Sequence, residues 1–349
     1  MRRTAAGTAV LLVALSVVAG FDLAVGAQGR TIKLATLVPS GSIWDKTLKT
    51  MGSDWATATG GRVNLRIYSG GVAGDDPDMV RKMRIGQLQA ATVTVSGLTE
   101  IDPAFALFEI PLFFDSYDEL FAVLERLGPE LERRLEERGF VLLHWGQAGW
   151  IYFFTNRPAT TIEEFRRLKI FVWAGDGRLA GLWREHGFRP VPLAATDILT
   201  GLESGLFDAL PATPIAALSL QWFRSAPHMI DIGVTPLVGA TIVTEKAWKT
   251  ISEVDRAAML EAAARAGEEF AAEIPRADRQ AIDEMTVRGL EVLSVDAAAR
   301  IAWQQLAVDF GEEMRRAFVP PEIYDLALAE RDAYRERSRE AAADSEGGG

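Results

Sequence analysis

The stretch LKIFVWAGDGRLAGLWREHGFRPVPLAATDILTGLESGLFD, residues 168–208, decides the fold class. It contains an apolar strand at Leu168–Trp173, a predicted helix at Arg178–His186 and a second apolar strand at Pro190–Leu193. A further predicted helix leads to a third strand that begins at Leu206–Asp208. Strands that alternate with helices in this way predict an α/β fold with a parallel sheet. Because ligands bind at the carboxyl ends of such strands, we expect a site at the turn after Trp173.

The first hundred residues predict the same order of elements. Apolar strands at Thr31–Leu37, Arg62–Tyr68 and Gln89–Val95 alternate with two predicted helices. Helical periodicity is longest over Ser252–Arg288, where Pro275 is expected to kink the helix rather than end it. The sequence therefore predicts two α/β units and one long helix.

Composition limits the classes of function. The chain has 349 residues, of which 48% are hydrophobic and 24% charged, as in a globular protein of about two domains. Its net charge of −11 argues against nucleic acid as a partner. It contains no cysteine, so its stability depends on the core and not on disulfides.

The N-terminus predicts export. Arg2 and Arg3 precede the apolar run Ala9–Ala19, and small residues end at Ala27. This order is typical of a signal peptide over residues 1–27 that leaves Gln28 as the first mature residue. The alternative is an uncleaved membrane anchor, but Asp22 interrupts the apolar run before it reaches spanning length. We therefore expect a periplasmic protein.

One local pattern suggests a cofactor. Gly175–Ala180 fits G-x-G-x-x-A between a strand and a helix, and Asp197 follows twenty residues after Gly177. This spacing is that of a dinucleotide fingerprint, which makes an oxidoreductase one hypothesis. The alternative is a glycine turn that enters a helix. We favour the turn, because the pattern is short and its third glycine is replaced, and we expect no cofactor.

The remaining polar residues do not predict catalysis. His144, His186 and His228 have no partner at metal-ligand spacing, so we expect neither a metal site nor a catalytic residue. Tryptophan is abundant, with nine in all. Several tryptophans that converge on one cleft form an aromatic-lined pocket. Those near predicted strand ends or helix starts are Trp44, Trp145, Trp150, Trp173 and Trp222.

The order of short motifs resembles the solute-binding proteins of tripartite ATP-independent periplasmic (TRAP) transporters, the DctP-type family. The resemblance covers about Thr31–Arg335. The motifs that carry it are Gly60-Gly61-Arg62, Gly74-Asp75, Met83-Arg84-Ile85-Gly86, Glu109-Ile110-Pro111-Leu112-Phe113-Phe114, Arg157-Pro158, Ile162-Glu163-Glu164-Phe165, Leu168-Lys169-Ile170, Asp197-Ile198 and Leu202–Asp208.

This resemblance implies an α/β periplasmic binding protein of two domains, with a ligand cleft between the domains, crossing strands at the hinge and a long helix that spans both. It places domain I at residues 28–146 and 236–251, and domain II at 147–235 and 289–340. The long helix takes 252–288, and we expect a disordered tail at 341–349.

The resemblance also implies function. Such proteins are not enzymes: they close around one small molecule and deliver it to integral membrane subunits of the transporter. A ligand-sensing module for a membrane receptor has the same fold and stays an alternative, as does the oxidoreductase.

The expected ligand position departs from the family. Members of the family usually carry an arginine that grips a carboxylate, and Phe171 stands there in this chain. A second, often basic position aligns with Ile151. We therefore expect a larger, flatter or more apolar ligand than a small dicarboxylate. The predicted ligand-binding residues are Phe171, Trp173, Trp150, Ile151, Trp44, Ser96, Asp197, Thr213 and Arg178.

Overall fold

A computed structural model describes residues 29–174 and 177–347. The predicted signal peptide and the turn at Gly175 and Asp176 lie outside the described residues. The strands, in chain order, are β1 (Arg30–Thr36), β2 (Val63–Tyr68), β3 (Ala90–Thr94), β4 (Phe140–Thr155), β5 (Lys169–Trp173), β6 (Arg189–Leu193), β7 (Ala209–Ala212), β8 (His228–Ile230), β9 (Thr235–Thr244) and β10 (Glu291–Leu293).

The helices differ widely in length. In chain order they are α1 (Ile43–Ala58), α2 (Asp76–Arg84), α3 (Val95–Thr99), α4 (Tyr117–Glu137), α5 (Ile162–Phe165), α6 (Gly177–Glu185), α7 (Ile198–Glu203), α8 (Pro214–Ser219), α9 (Glu245–Trp248), α10 (Glu253–Val287), α11 (Ala297–Ala317) and α12 (Pro321–Gly347). Short 3-10 turns cover Pro103–Glu109, Ala195–Asp197 and Trp222–Arg224.

Both predicted α/β units are present, and the fold class is confirmed. In the first unit, β1 pairs in parallel with β2 and with β3. In the second unit, β5 pairs in parallel with β6 and with β7. The strands follow one another in the order β2-β1-β3-β9-β4-β7-β5-β6. Each unit therefore turns the carboxyl ends of its parallel strands toward one edge.

Strand β4 joins the two units. Its first part pairs antiparallel with β9, and its last residues pair with β7 and β8. The pairing with β9 changes register between Gln147 and Trp150. Gly149 lies within this irregularity at φ +112°, a conformation that a side chain would strain. β4 is thus the crossing strand expected from the sequence, while the exact domain boundaries stay a prediction.

The long helix is confirmed as α10. Ser252 caps it, since its side-chain oxygen accepts a hydrogen bond from the Asp255 backbone N–H at 3.2 Å. The helix continues through Pro275 and packs against α1, β4 and α8. It therefore touches elements of both units.

Three sequence predictions were wrong in detail. The sequence pattern predicts two helices, over Ser116–Arg126 and Glu130–Arg138, but the structure has the single helix α4, which continues through Pro129. The apolar run Met229–Val243 predicts one strand, but the structure divides it into β8 and β9. The tail from residue 341, expected to be disordered, continues α12 to Gly347. No helix within the described residues has the length and apolarity that a membrane span requires.

Candidate functional site

The carboxyl ends of the parallel strands of both units meet at a cavity of about 390 Å³. Residues after β1 and β2 line it, including Leu37 and Gly70, together with the end of β3. The second unit contributes Trp173 from the end of β5 and Thr213 after β7. Strand β4, strand β9 and Phe270 of α10 complete the wall. The site therefore lies where the parallel-sheet rule places it.

The cavity wall lacks ionic side chains. Among residues 29–174 and 177–347, no aspartate, glutamate, lysine or arginine lines it. Its polar side-chain groups are hydroxyls, one amide, the His144 imidazole and the indole N–H groups of its tryptophans. Burial lowers the pKa of His144 to about 4, so this ring is neutral at physiological pH. The cavity is therefore uncharged over the part of the chain that the structure describes.

Four of the nine predicted site residues lie in this wall. Trp44, Ile151, Trp173 and Thr213 all line the cavity. Trp222 lines it too, although core packing is the default expectation for any single tryptophan. Three tryptophans thus converge on the cavity, from α1, β5 and the 3-10 turn after α8.

Phe171 does not line the cavity, which corrects the central sequence prediction. Its side chain is fully buried, with its ring 5.2 Å from that of Trp173 and 5.5 Å from that of Phe207. It belongs to the apolar core of the second unit, whose members include Ile198 and Leu202. Trp173 lines the cavity and Phe171 packs against it, so Phe171 acts on the cavity through this neighbour.

Trp150 faces away from the cavity, although its neighbour Ile151 lines it. Successive strand residues point to opposite faces, which separates the two side chains. Trp150 lines a second depression of about 770 Å³, which we call the back groove. Its lining residues include Tyr117, Trp150, Tyr152, Asp278, Arg279, Arg300, Glu312, Arg331 and Arg335.

The other predicted site residues are also outside the cavity wall. Ser96 and Arg178 line a small depression with Phe318, and the Arg178 guanidinium lies 6.0 Å from the centre of the Phe318 ring. Arg157, from the Arg157-Pro158 motif, lies 3.7 Å from Asp208. Asp197 is exposed beside the cavity-lining residue Thr196. Neither arginine therefore lines the cavity wall.

Asp197 lies at an acidic rim where the two units touch. The backbone N–H of Ala195 donates a hydrogen bond to Asp75 at 3.4 Å, which links the two units across the rim. Burial raises the pKa of Asp75, and the negative charges of Asp78 and Asp197 raise it further. The carboxylates of Asp78 and Asp197 are thus each close enough to Asp75 to repel it.

Asp278 connects α10 to the crossing strand. Its carboxylate accepts hydrogen bonds from the Trp150 backbone N–H at 2.8 Å and from the Tyr117 hydroxyl at 3.4 Å. The backbone of Ile215, in α8, also donates to it. Burial raises the pKa of Asp278 to about 7. This single side chain therefore holds β4, α4 and α8 against the long helix.

Sequence reasoning missed two important wall residues. His144 was expected to be structural, yet it lines the cavity and its ring packs 5.8 Å from that of Phe270. Phe270 comes from the middle of α10, where nothing in the local sequence separates a cavity residue from a core residue. No group of three or more metal-ligating side chains occurs within the described ranges.

Comparisons with known proteins identify the fold. A family model described as "Bacterial extracellular solute-binding protein, family 7" (DctP) matches residues 34–315. A solute-binding protein of Roseobacter denitrificans is 24% identical over 296 residues, which cover 83% of this chain and 90% of that protein. Most of the chain is therefore covered by one family.

Solved structures of solute-binding proteins have the same fold as this chain. A TRAP periplasmic solute-binding protein of Chromohalobacter salexigens, with bound D-glucuronate, superposes with a TM-score of 0.80 at 23% identity, over 86% of this chain and 99% of that one. A sugar-acid-binding protein of Advenella mimigardefordensis, in complex with galactonate, has a TM-score of 0.81 at 16% identity, over 88% and 99% of the two chains.

Proposed function

The chain belongs to family 7 of the bacterial extracellular solute-binding proteins, and from this premise we propose that it captures an uncharged, largely apolar small molecule for a TRAP-type transporter. The family and the named solved structures are solute receptors rather than enzymes. The oxidoreductase hypothesis built on Gly175–Ala180 is therefore wrong. The class of function is that of the family, and the proposal concerns the ligand.

The observation that carries the proposal is the uncharged cavity. The two solved relatives named above hold sugar acids, which are carboxylates. Moving a carboxylate out of water costs on the order of several kcal/mol unless an opposite charge or several hydrogen-bond donors offset this cost. Over the described residues, no lysine or arginine lines the wall to compensate it. A neutral ligand avoids this cost.

The rim supports the same class of ligand. An anion that approaches the cavity meets the carboxylates of Asp75 and Asp197, which already repel each other. The wall itself offers broad apolar surfaces, including Trp173, Trp222 and Leu199. Such surfaces bind flat or branched apolar groups through burial of area.

We propose that residues 1–27 direct export and are removed, which leaves the mature receptor in the periplasm. Delivery to integral membrane subunits of the transporter follows from the family. Intact-mass analysis of protein recovered from the periplasm tests the first statement, with an expected start at Gln28. A mass that retains residues 1–27 contradicts it.

A thermal-shift screen of the mature protein tests the ligand class. The panel pairs neutral alcohols, ketones and lactones with carboxylates, among them D-glucuronate and galactonate. A ligand at a hundred times its Kd stabilises the folded state by about 2.7 kcal/mol. We expect neutral compounds to raise the melting temperature and the two sugar acids to leave it unchanged. Tight binding of a sugar acid, with no response to any neutral compound, contradicts the proposal.

A matched pair of variants separates cavity binding from surface binding. Leu199 and Leu206 have similar exposure, 40% and 47%, but only Leu199 lines the cavity. We expect Leu199→Ala to weaken a neutral ligand and Leu206→Ala to leave its affinity unchanged. Equal effects would place the ligand elsewhere.

A further inference from the structure

The cavity has two chemically different walls. The wall built from the first unit and β4 carries most of the hydrogen-bonding side chains, among them Thr36, Thr92, Thr94, His144 and Gln147. We call these five residues the polar wall. The opposite surface, contributed by the second unit and the segment after it, is mainly apolar and includes Trp173, Ile198, Leu199, Leu220 and Trp222. We call these five residues the apolar wall.

Most groups of the polar wall already have partners inside the protein. The Thr94 hydroxyl donates to Asp76 at 2.6 Å. The Thr36 hydroxyl accepts from the Val38 backbone N–H at 3.2 Å. The hydroxyls of Thr92 and Thr241 share a hydrogen bond of 2.8 Å.

His144 is the exception. Its Nδ1 lies 2.8 Å from the carbonyl oxygen of Trp145, and its Nε2 has no partner among the described residues. A carbonyl oxygen only accepts, so Nδ1 carries the proton and Nε2 holds a lone pair. Burial lowers the pKa of His144 to about 4, which keeps this nitrogen an acceptor at physiological pH. A buried acceptor without a donor costs free energy, and a ligand that supplies the donor recovers it.

Trp44 presents the complementary group. Its indole N–H is buried and, within residues 29–174 and 177–347, makes no hydrogen bond. Trp44 lines the same cavity, from the first turn of α1. The cavity residues thus include one unused acceptor and one unused donor. A hydroxyl group is a small neutral group that donates one hydrogen bond and accepts others.

We propose that the ligand is an uncharged alcohol or phenol whose hydroxyl donates a hydrogen bond to Nε2 of His144, while its ring or branched body packs on the apolar wall. This inference rests on the proposed function, because it assumes that the cavity takes a neutral molecule. It adds a specificity-determining residue that discriminates a hydroxyl from an ether or a ketone, which have no proton to donate.

Matched naphthalene derivatives test the inference without knowledge of the natural ligand. The probes are 2-naphthol, 2-methoxynaphthalene and 2-naphthoate, with the corresponding phenyl and cyclohexyl series, and binding is measured by calorimetry at pH 7. We expect the hydroxyl compound of the best-bound series to bind about tenfold more tightly than its methyl ether, or about 1.4 kcal/mol. His144→Leu removes the acceptor and should bring this ratio to about one.

The conservative variant and a spectroscopic measurement guard against misfolding. His144→Gln keeps an amide oxygen near the position of Nε2, so part of the alcohol-to-ether ratio should return. In the wild-type protein, the ¹⁵N resonance of His144 Nε2 should shift with the alcohol and not with the ether. This second measurement decides the question even if His144→Leu does not fold.

The outcomes separate the two proposals. If alcohol and ether bind equally, or if their ratio survives His144→Leu, the inference about His144 is overturned and a neutral-ligand receptor remains. If the carboxylates bind most tightly, both proposals are overturned. If neither the alcohols nor the ethers of the three series bind, the inference is also overturned.

Discussion

The cavity and the back groove lie on opposite faces of β4 and have opposite chemical character. Ile151 faces the cavity, whose described wall carries no acid, lysine or arginine. Trp150, the preceding residue, faces the back groove, which is lined by Asp278, Glu312 and four arginines. Position relative to the strand, and not proximity in sequence, therefore decides which residues meet a ligand. An arginine near this segment of the chain is not evidence for a carboxylate-binding cavity.

The two regions also differ in what their polar groups do. In the back groove, charged groups are already engaged: Asp278 binds the Trp150 backbone, and Arg335 lies 2.9 Å from Asp115. Such pairs hold elements together. In the cavity, the unused groups are neutral, and only burial and single hydrogen bonds are available to a ligand. The predictions below test this division.

The largest expected effect comes from placing an arginine on the two positions where the family resemblance expects one. Phe171→Arg inserts a guanidinium into a fully buried core position without a partner, which should cost about 4 kcal/mol or more of the free energy of unfolding. Ile151→Arg instead extends into the cavity and should cost about 1 kcal/mol. Urea unfolding measures both.

The same pair tests ligand selectivity. We expect Ile151→Arg to weaken neutral ligands and to create affinity for D-glucuronate, because it adds the missing cation to the cavity wall. Phe171→Leu, which keeps the core position apolar, should cost about 1 kcal/mol and leave selectivity unchanged. A well-folded Phe171→Arg protein that binds a sugar acid would show that Phe171, and not Ile151, occupies the ligand position.

A smaller effect is expected at Gly149, which lies between Asp278 of the back groove and Thr213 of the cavity wall. A Cβ atom on Gly149 would lie 2.6 Å from Asp278 Oδ2 and 2.9 Å from Thr213 Cβ, and φ is +112°. Gly149→Ala should therefore destabilise the fold by about 3 kcal/mol and also weaken ligand binding, because Thr213 lines the cavity. Gly181→Ala is the control, since no heavy atom outside its own helix backbone and chain neighbours lies within 4 Å. It should stabilise α6 by up to about 1 kcal/mol. Equal melting temperatures for the two variants would show that the crossing strand β4 does not require glycine at position 149.

The architecture was predictable because periodic apolar runs and glycine turns are local signals. Leu168–Asp208 encodes β5, α6, β6 and α7 and leads into β7, and Ser252 and Gly289 bracket the long helix. The parallel-sheet rule then located the cavity at the strand ends, which explains why Trp173 and Thr213 were found from sequence.

The wall itself was less predictable because it depends on which way each strand residue points. Two register shifts in the pairing of β4 with β9, at Leu142/His144 and Gln147/Trp150, interrupt the alternation along β4, so the faces of Trp150 and Ile151 cannot be found by counting from the start of the strand. Phe171 illustrates a second limit. Alignment gives a position along β5 but not the packing of Trp173 and Phe207 around it. His144 and Phe270 meet only because α10 packs across β4.

The smallest expected effect is a pair of opposite pH dependences, one from each region. The pKa of Asp278 is raised to about 7, so the folded state binds its proton more tightly than the unfolded chain does. Its contribution to stability therefore falls as the pH rises from about 4 to 7. The pKa of His144 is lowered to about 4, so its contribution falls as the pH drops from about 6.5 to 4.

Variants resolve the two contributions, which partly cancel in the wild-type protein. The pKa of Asp76 is raised to about 6, so Asp76 adds a pH dependence of stability with the same sign as that of Asp278. This contribution is the same in the wild-type protein and in both variants. Asp278→Asn cannot ionise but keeps an oxygen for the Trp150 N–H, and His144→Gln cannot be protonated. Relative to wild type, Asp278→Asn should gain about 2–3 kcal/mol between pH 4.5 and 7.5, while His144→Gln should lose a similar amount over that range. Urea unfolding at several pH values measures both slopes. Slopes of the same sign would contradict the burial of the Asp278 carboxyl group in the back groove or of the His144 imidazole in the cavity wall.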